Sequence, residues 1–191
     1  MTIIAAVHIG TPASGRYFAA MGADGQMTYG YTKVPSGPKI VRRGNVLYGC
    51  AGVPAYHRFL EELPDEPPTG DWLNAMADRW VAWAHKHGRG KQNDEGTFLL
   101  DGRILVAAPS GLWTLDGDGA VTRQERYAAI GCGAETALGV LFTLARVICH
   151  TLSPAERVEV AVRACIEHVV GCGGEVMVRQ VQDPPDTWRP G

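Results

Sequence analysis

The chain opens on a run of small and branched apolar residues, Thr2-Ile3-Ile4-Ala5-Ala6-Val7-His8, with a second apolar run at Arg16 to Ala23. Between them, Gly10 to Gly15 is rich in glycine, proline and serine, so the two runs read as a β-hairpin. The alternation in the two runs is loose, which fits a sheet buried on one or both faces. Covering such a hairpin requires further layers, and this demand constrains the rest of the chain. Thr2 carries a second implication. Once Met1 is removed it presents a hydroxyl nucleophile beside a free α-amine that can act as its base.

The remaining segments supply the layers. Lys39 to Val41 and Val46 to Ala51 form a second strand pair around Gly44-Asn45. Pro54 suits the first turn of a helix ending near Leu63, before Pro64. Pro64 to Gly70 is a proline-rich acidic loop, too short to link domains. Asp71 caps a second helix, running to about His87-Gly88, on which Trp72, Met76, Trp80 and Trp83 recur at helical spacing. Those aromatics read as core, with subunit contact as the other use of such a face. Lys91 to Gly96 reads as a polar loop, followed by strands at Thr97 to Leu100 and Arg103 to Ala108. Gly111 to Leu115 and Ala120 to Thr122 flank the hairpin turn Asp116-Gly117-Asp118-Gly119. That turn lacks the remaining ligands of a calcium loop. A strand at Tyr127 to Gly131 precedes two helices, Glu135 to Cys149 and Pro154 to Val169, the latter capped by Ser153 with Pro154 at its first position. A glycine-rich turn, Gly171 to Gly174, leads to a last strand, Glu175 to Val181, and residues 183–191 read as a loose tail.

Composition narrows the functional classes. The 191 residues suit a single domain, and 46% apolar with 20% charged residues is ordinary for a globular chain. A formal net charge of −2 gives no support for nucleic-acid binding. No apolar run approaches the roughly 20 residues a membrane helix needs, and the N-terminus lacks a signal peptide's features, so a cytoplasmic location is expected. Cys50, Cys132, Cys149, Cys165 and Cys172 are odd in number and irregular in spacing, which suits reduced thiols, and none forms a CxxC pair for zinc. No metal or other cofactor is expected.

Five segments, in order, carry a more specific message: Thr2 opening a strand, Asp24-Gly25-Gln26-Met27-Thr28-Tyr29-Gly30, Lys39 ahead of Arg42-Arg43, Tyr48-Gly49-Cys50-Ala51-Gly52, and Tyr127-Ala128-Ala129-Ile130-Gly131-Cys132-Gly133. Their order and gaps resemble the N-terminal-nucleophile (Ntn) hydrolases of the proteasome β-subunit family, with the bacterial HslV type nearest in pattern. The resemblance runs from Thr2 to about Val181. It implies an α+β fold, a four-layer αββα sandwich of two antiparallel sheets flanked by helix pairs.

The resemblance also implies a threonine peptidase. Thr2 Oγ would attack a peptide carbonyl while the Thr2 α-amine accepts its proton; such amines have a pKa of about 7.7–8.0. Lys39 matches the family's active-site lysine, whose charge favours the neutral amine and a developing alkoxide, and Asp24 would hold it in place. Lys33 is the competing lysine but lacks the paired-arginine context. Gly49 would supply the oxyanion N–H. Thr28 and Ala51 would bind substrate as an added strand, and Met27 and Leu47 would line the first specificity pocket, favouring an apolar side chain. Cys132 stands where the family has a serine supporting the amine, and Val169 and Cys172 stand where proteasome subunits carry an aspartate and a serine. Hydrolysis through Cys132 or Cys172 with a histidine is a third possibility, without a recognisable motif.

Family likeness further implies peptide or unfolded-protein substrates and homo-oligomeric stacked rings of roughly 12 or 14 subunits enclosing the sites. An ATP-dependent unfoldase would be a separate partner, since no nucleotide-binding loop is present. A ring-forming homologue that is inactive or retains Met1, with a binding or structural role, is the alternative.

Overall fold

The computed structural model describes residues 2–11, 16–29, 32–65, 70–92, 94, 98–147 and 151–182. Strands β1 (Ile3–Thr11) and β2 (Arg16–Asp24) form the expected hairpin, with Ile4 opposite Ala23 and Thr11 opposite Arg16. They are the centre of an antiparallel sheet completed by β12 (Tyr127–Gly131) beside β1 and β13 (Val176–Gln182) beside β2. A second antiparallel sheet takes β5 (Ile40–Arg43), β6 (Val46–Gly52), β9 (Gly102–Ala108), β10 (Gly111–Leu115) and β11 (Val121–Gln124), in the spatial order β11-β10-β9-β6-β5.

Alternation along each strand builds the layers, because successive side chains leave opposite faces. Ile4 and Ala6 of β1, Ala19, Met21 and Ala23 of β2, Leu47 and Ala51 of β6, and Leu105 and Ala107 of β9 meet in the core between the sheets. The other parity of β1 and β2, including Ile3, Ala5, Val7 and Ala20, packs under α3 (Ala134–Val147) and α4 (Pro154–His168) with Leu141, Val158 and Val162. Tyr48, Ile104 and Val106 pack on the outer face of the second sheet under α1 (Tyr56–Glu61) and α2 (Gly70–Lys86). The result is the four-layer αββα sandwich. Both faces of both sheets are covered, which is why the sequence alternation looked loose.

Helix-to-sheet contact is close at Gly22, where a Cβ would stand 2.4 Å from Val158 Cγ1. The α4 helix starts with the expected cap. Ser153 Oγ accepts from Glu156 N at 3.3 Å, and Glu156 Oε2 accepts from Ser153 N at 2.7 Å. On α2, Trp80 is fully buried with its ring 5.2 Å from that of Tyr56, and Trp83 packs on Phe59 and His87, so this aromatic row serves the subunit's own core.

Four local expectations change, the first being that Asp71 lies in the first turn of α2 rather than capping it, since the helix already includes Gly70. Helix α1 begins at Tyr56 rather than Pro54, because Val53 to Tyr56 forms a turn first, with Tyr56 N donating to Val53 O at 3.0 Å. Lys91–Gln92 (β7), expected as loop, pairs with Phe98–Leu99 (β8). A hairpin of β3 (Gln26–Tyr29) and β4 (Thr32–Pro35) follows β2 where no strands were expected. The expected turn centre at 12–15, Cys149 and the tail at 183–191 lie outside the described residues.

Candidate active site

The β1–β2 register sets the site. Ile4 pairs with Ala23, so Thr2 and Ile3 arrive beside Asp24 at the far end of β2. Asp24 is fully buried, and its two oxygens collect donors from three parts of the chain. Oδ1 accepts from Thr2 Oγ1 at 2.7 Å, Ile3 N at 3.0 Å and Lys39 Nζ at 2.6 Å, and Oδ2 accepts from Gly173 N at 3.2 Å. A buried carboxylate needs such pairing, because an isolated charge would be strongly penalised there.

Lys39 immediately precedes β5, and its side chain is 11% exposed. Its ammonium donates to Thr2 Oγ1 at 2.5 Å, to Asp24 Oδ1, and to the Gln26 carbonyl. Three donors meet three acceptors, a complete set for a charged lysine. Lys33, the competing candidate, is exposed on β4 opposite Thr28. The Thr2 hydroxyl therefore accepts from a cation while donating to a carboxylate, an arrangement that fixes the direction of its lone pairs.

Behind Thr2, the turn from β12 into α3 closes the site. Gly131 pairs with Ile3 and has φ of 97°; a Cβ there would fall 2.2 Å from the Thr2 carbonyl oxygen, so only glycine passes. That carbonyl accepts from Cys132 N at 2.8 Å and from the Cys132 thiol at 3.3 Å. Cys132 Sγ also lies 3.7 Å from Cys172 Sγ. The partners of the Cys132 thiol are thus the Thr2 carbonyl and another thiol, not a histidine.

A cavity of about 480 Å³ opens beside Thr2 and Lys39, walled by Met27, Cys50, Val53 and Pro54, with His57 and Glu61 on the α1 side. His57 Nδ1 lies 3.4 Å from Glu61 Oε1. Sequence reasoning passed over both; their i,i+4 spacing directly after β6 was the available signal. Burial, partly opposed by the Lys39 charge, pushes the Cys50 thiol up to about 12, so this wall is neutral. A wider groove of about 810 Å³ between Lys33–Ser36 and Gly174–Arg179 meets this cavity at Gln26 and Ser36, and neither Thr2 nor Lys39 is among its walls.

The other expected residues are placed as follows. Met27 lines the cavity. Leu47 does not reach it: strand alternation turns Leu47 into the core between the sheets, where it is fully buried. Gly49 lies in β6 opposite Ile40, and a Cβ on it would stand 2.8 Å from Ile4 Cγ2. Ala51 is buried two residues further along, beyond the last β5–β6 pair, so Cys50 to Gly52 pair with β9 but not with β5. Thr28 sits opposite Lys33 in the β3–β4 hairpin. Among the described residues no cluster of histidine, cysteine and acidic groups has metal-holding geometry, and no helix is long and apolar enough to cross a membrane.

Known proteins share the sequence pattern in part and the fold. The chain is 28% identical over 171 residues to the ATP-dependent protease subunit HslV of Pseudothermotoga lettingae, covering 84% of this chain and 90% of that one. The chain is related to HslV. Among solved structures, Thiobacillus denitrificans BPH in complex with epoxomicin superposes with a TM-score of 0.76 at 21% identity, covering 96% of this chain and all of that one. The eukaryotic HslV from Trypanosoma brucei gives a TM-score of 0.68 at 21% identity, over 95% of this chain and 100% of that one. The fold is the Ntn-hydrolase fold of these HslV-like proteins. No protein-family profile matches the chain.

Proposed function

We propose that this HslV-related chain is a threonine-type endopeptidase whose nucleophile is Thr2, exposed as the N-terminal residue once Met1 is removed. The hydrogen bonding of Thr2 Oγ1 to both Lys39 and Asp24 carries this reading. The freed α-amine takes the proton from Oγ as it attacks the scissile carbonyl, and then delivers that proton to the leaving amine. Water, deprotonated by the same amine, hydrolyses the resulting ester and releases Thr2. Lys39 stabilises the developing alkoxide and disfavours a second charge on the amine, and Asp24 fixes Lys39. Cys132 fixes the Thr2 carbonyl. Gly49 N–H is the assigned oxyanion donor.

An extended peptide would enter between β3 and the free edge of β6, pairing with the backbones of Thr28 and Ala51. Its side chain before the cut would occupy the 480 Å³ cavity, whose Met27, Val53 and Pro54 walls favour an apolar group. Enclosure in cytoplasmic homo-oligomeric rings and feeding by an ATP-dependent unfoldase belong to this reading, supported by the similarity to an ATP-dependent protease subunit.

The test couples intact mass with kinetics. Mature protein should lack Met1 and hydrolyse unstructured peptides, and Thr2→Ala should abolish hydrolysis while leaving assembly unchanged. Turnover retained by Thr2→Ala would refute the assigned nucleophile.

A further inference from the structure

The peptidase chemistry above uses Cys132 only to hold the Thr2 carbonyl and leaves the contact between the Cys132 and Cys172 sulfurs without a role. Cys132 is exposed on the turn after β12, and Cys172 is buried on the turn before β13, yet their sulfurs are 3.7 Å apart. Each turn also holds one end of the catalytic group. The first supplies the Cys132 N–H and S–H donors to the Thr2 carbonyl, and the second supplies the Gly173 N–H donor to Asp24 Oδ2. Both turns are closely packed at their glycines. A Cβ on Gly133 would stand 3.1 Å from Cys172 Sγ, and one on Gly173 would stand 2.2 Å from the Gln26 amide oxygen.

We propose that Cys132 and Cys172 form a redox site: hydroperoxides convert the pair into a disulfide, and this switches off the adjacent threonine centre. The switching rests on the peptidase reading; the pairing does not. Cys132 meets the oxidant because it is the exposed member. Its thiolate attacks a peroxide oxygen, giving a sulfenic acid and releasing water or an alcohol. The Cys172 sulfur then displaces the sulfenic oxygen as a second water, closing the S–S bond. Two thiols lose two electrons and two protons, and one peroxide is reduced. Burial and the neighbouring Cys132 raise the Cys172 thiol above its ordinary range, which leaves it the resolving rather than the peroxide-reactive partner.

Disulfide formation draws the sulfurs from 3.7 Å to about 2.05 Å. It removes the S–H donor from the Thr2 carbonyl and pulls the 171–174 turn, displacing Gly173 N–H from Asp24. A dithiol reductant restores both donors. The arrangement places two cysteines where the resemblance expects serines, and a serine pair has no such chemistry.

The experiment treats the reduced, full-length protein with stoichiometric hydrogen peroxide, blocks the remaining thiols by alkylation, and maps linked peptides by mass while peptide hydrolysis is followed. The expected result is a Cys132–Cys172 linked peptide, loss of most hydrolysis in parallel with it, and recovery of both on adding dithiothreitol. Cys172→Ala, compared with its own untreated rate, should form no such link and lose the reversible component. Absence of the link, pairing of Cys132 with Cys165 instead, or a full link with undiminished hydrolysis would overturn the proposal. A reduced protein that never hydrolyses peptides would overturn the peptidase reading and the switching that rests on it, while the linked peptide still decides the pairing.

Discussion

Lys39 Nζ stands 2.5 Å from Thr2 Oγ1 and 2.6 Å from Asp24 Oδ1, so one ammonium bridges a hydroxyl and a buried carboxylate that come from opposite ends of the first hairpin. The three groups form one electrostatic unit. Its charge is set by Lys39 and its position by Asp24.

Removing the cation should cost both chemistry and stability, because it leaves the buried Asp24 carboxylate without its counter-charge. Lys39→Ala is expected to lower kcat for peptide hydrolysis by about 10²–10³, the scale of losing a preorganised electrostatic stabiliser. Far-UV circular dichroism should be unchanged. A variant retaining a tenth of the native kcat would exclude the assigned role.

Asp24→Asn keeps the shape but removes the charge that Lys39 faces. Leaving a largely buried ammonium unpaired costs about 3–5 kcal/mol. The expected outcome is a clear drop in the urea midpoint together with lost activity. An unchanged midpoint would show that solvent already compensates Lys39.

Alkaline pH should destabilise the fold through its thiols. Burial, foremost, raises Cys50 to about 12 and Cys165 to about 11 from a model-peptide value of 9.0. Their folded-state values exceed the unfolded ones, so the folded chain holds these protons longer. The associated stability is fully present below about pH 9 and is lost as pH rises toward 11 and 12. Urea midpoints should be flat from pH 7 to 8.5 and fall above 9, with Cys50→Ala reducing the fall. An identical fall in that variant would rule out the Cys50 contribution.

Gly22→Ala inserts a methyl 2.4 Å from Val158 Cγ1, where α4 crosses β2. Overpacking of this kind costs about 1–3 kcal/mol. Val158→Ala, harmful by itself, should recover part of the loss in the double variant. Strict additivity in a denaturation cycle would show that the two sites do not meet.

The four layers came from the family resemblance and not from periodicity, because both faces of β1 and β2 are buried and their alternation is loose. The Ser153-Pro154 start of α4 was legible because it is a matter of four residues. Thr2, Asp24 and Lys39 were found by type and order, and the structure brings them together. The β3–β4 hairpin was missed because β4 is mostly exposed and carries no apolar period. Leu47 was assigned to a pocket, whereas strand parity commits it to the core. The i,i+4 spacing of His57 and Glu61 was visible, but their place beside Thr2 and the Cys132–Cys172 contact depend on how distant segments close over the site.

Asp24 obtains its last donor, Gly173 N–H, from a turn near the end of the chain, just before the strand that pairs with β2. The carboxylate that aligns Thr2 and Lys39 is therefore incompletely held until β13 docks. Order at the nucleophile depends on a donor 149 residues further along the chain, and a fragment that stops short of Gly173 keeps the threonine without that donor.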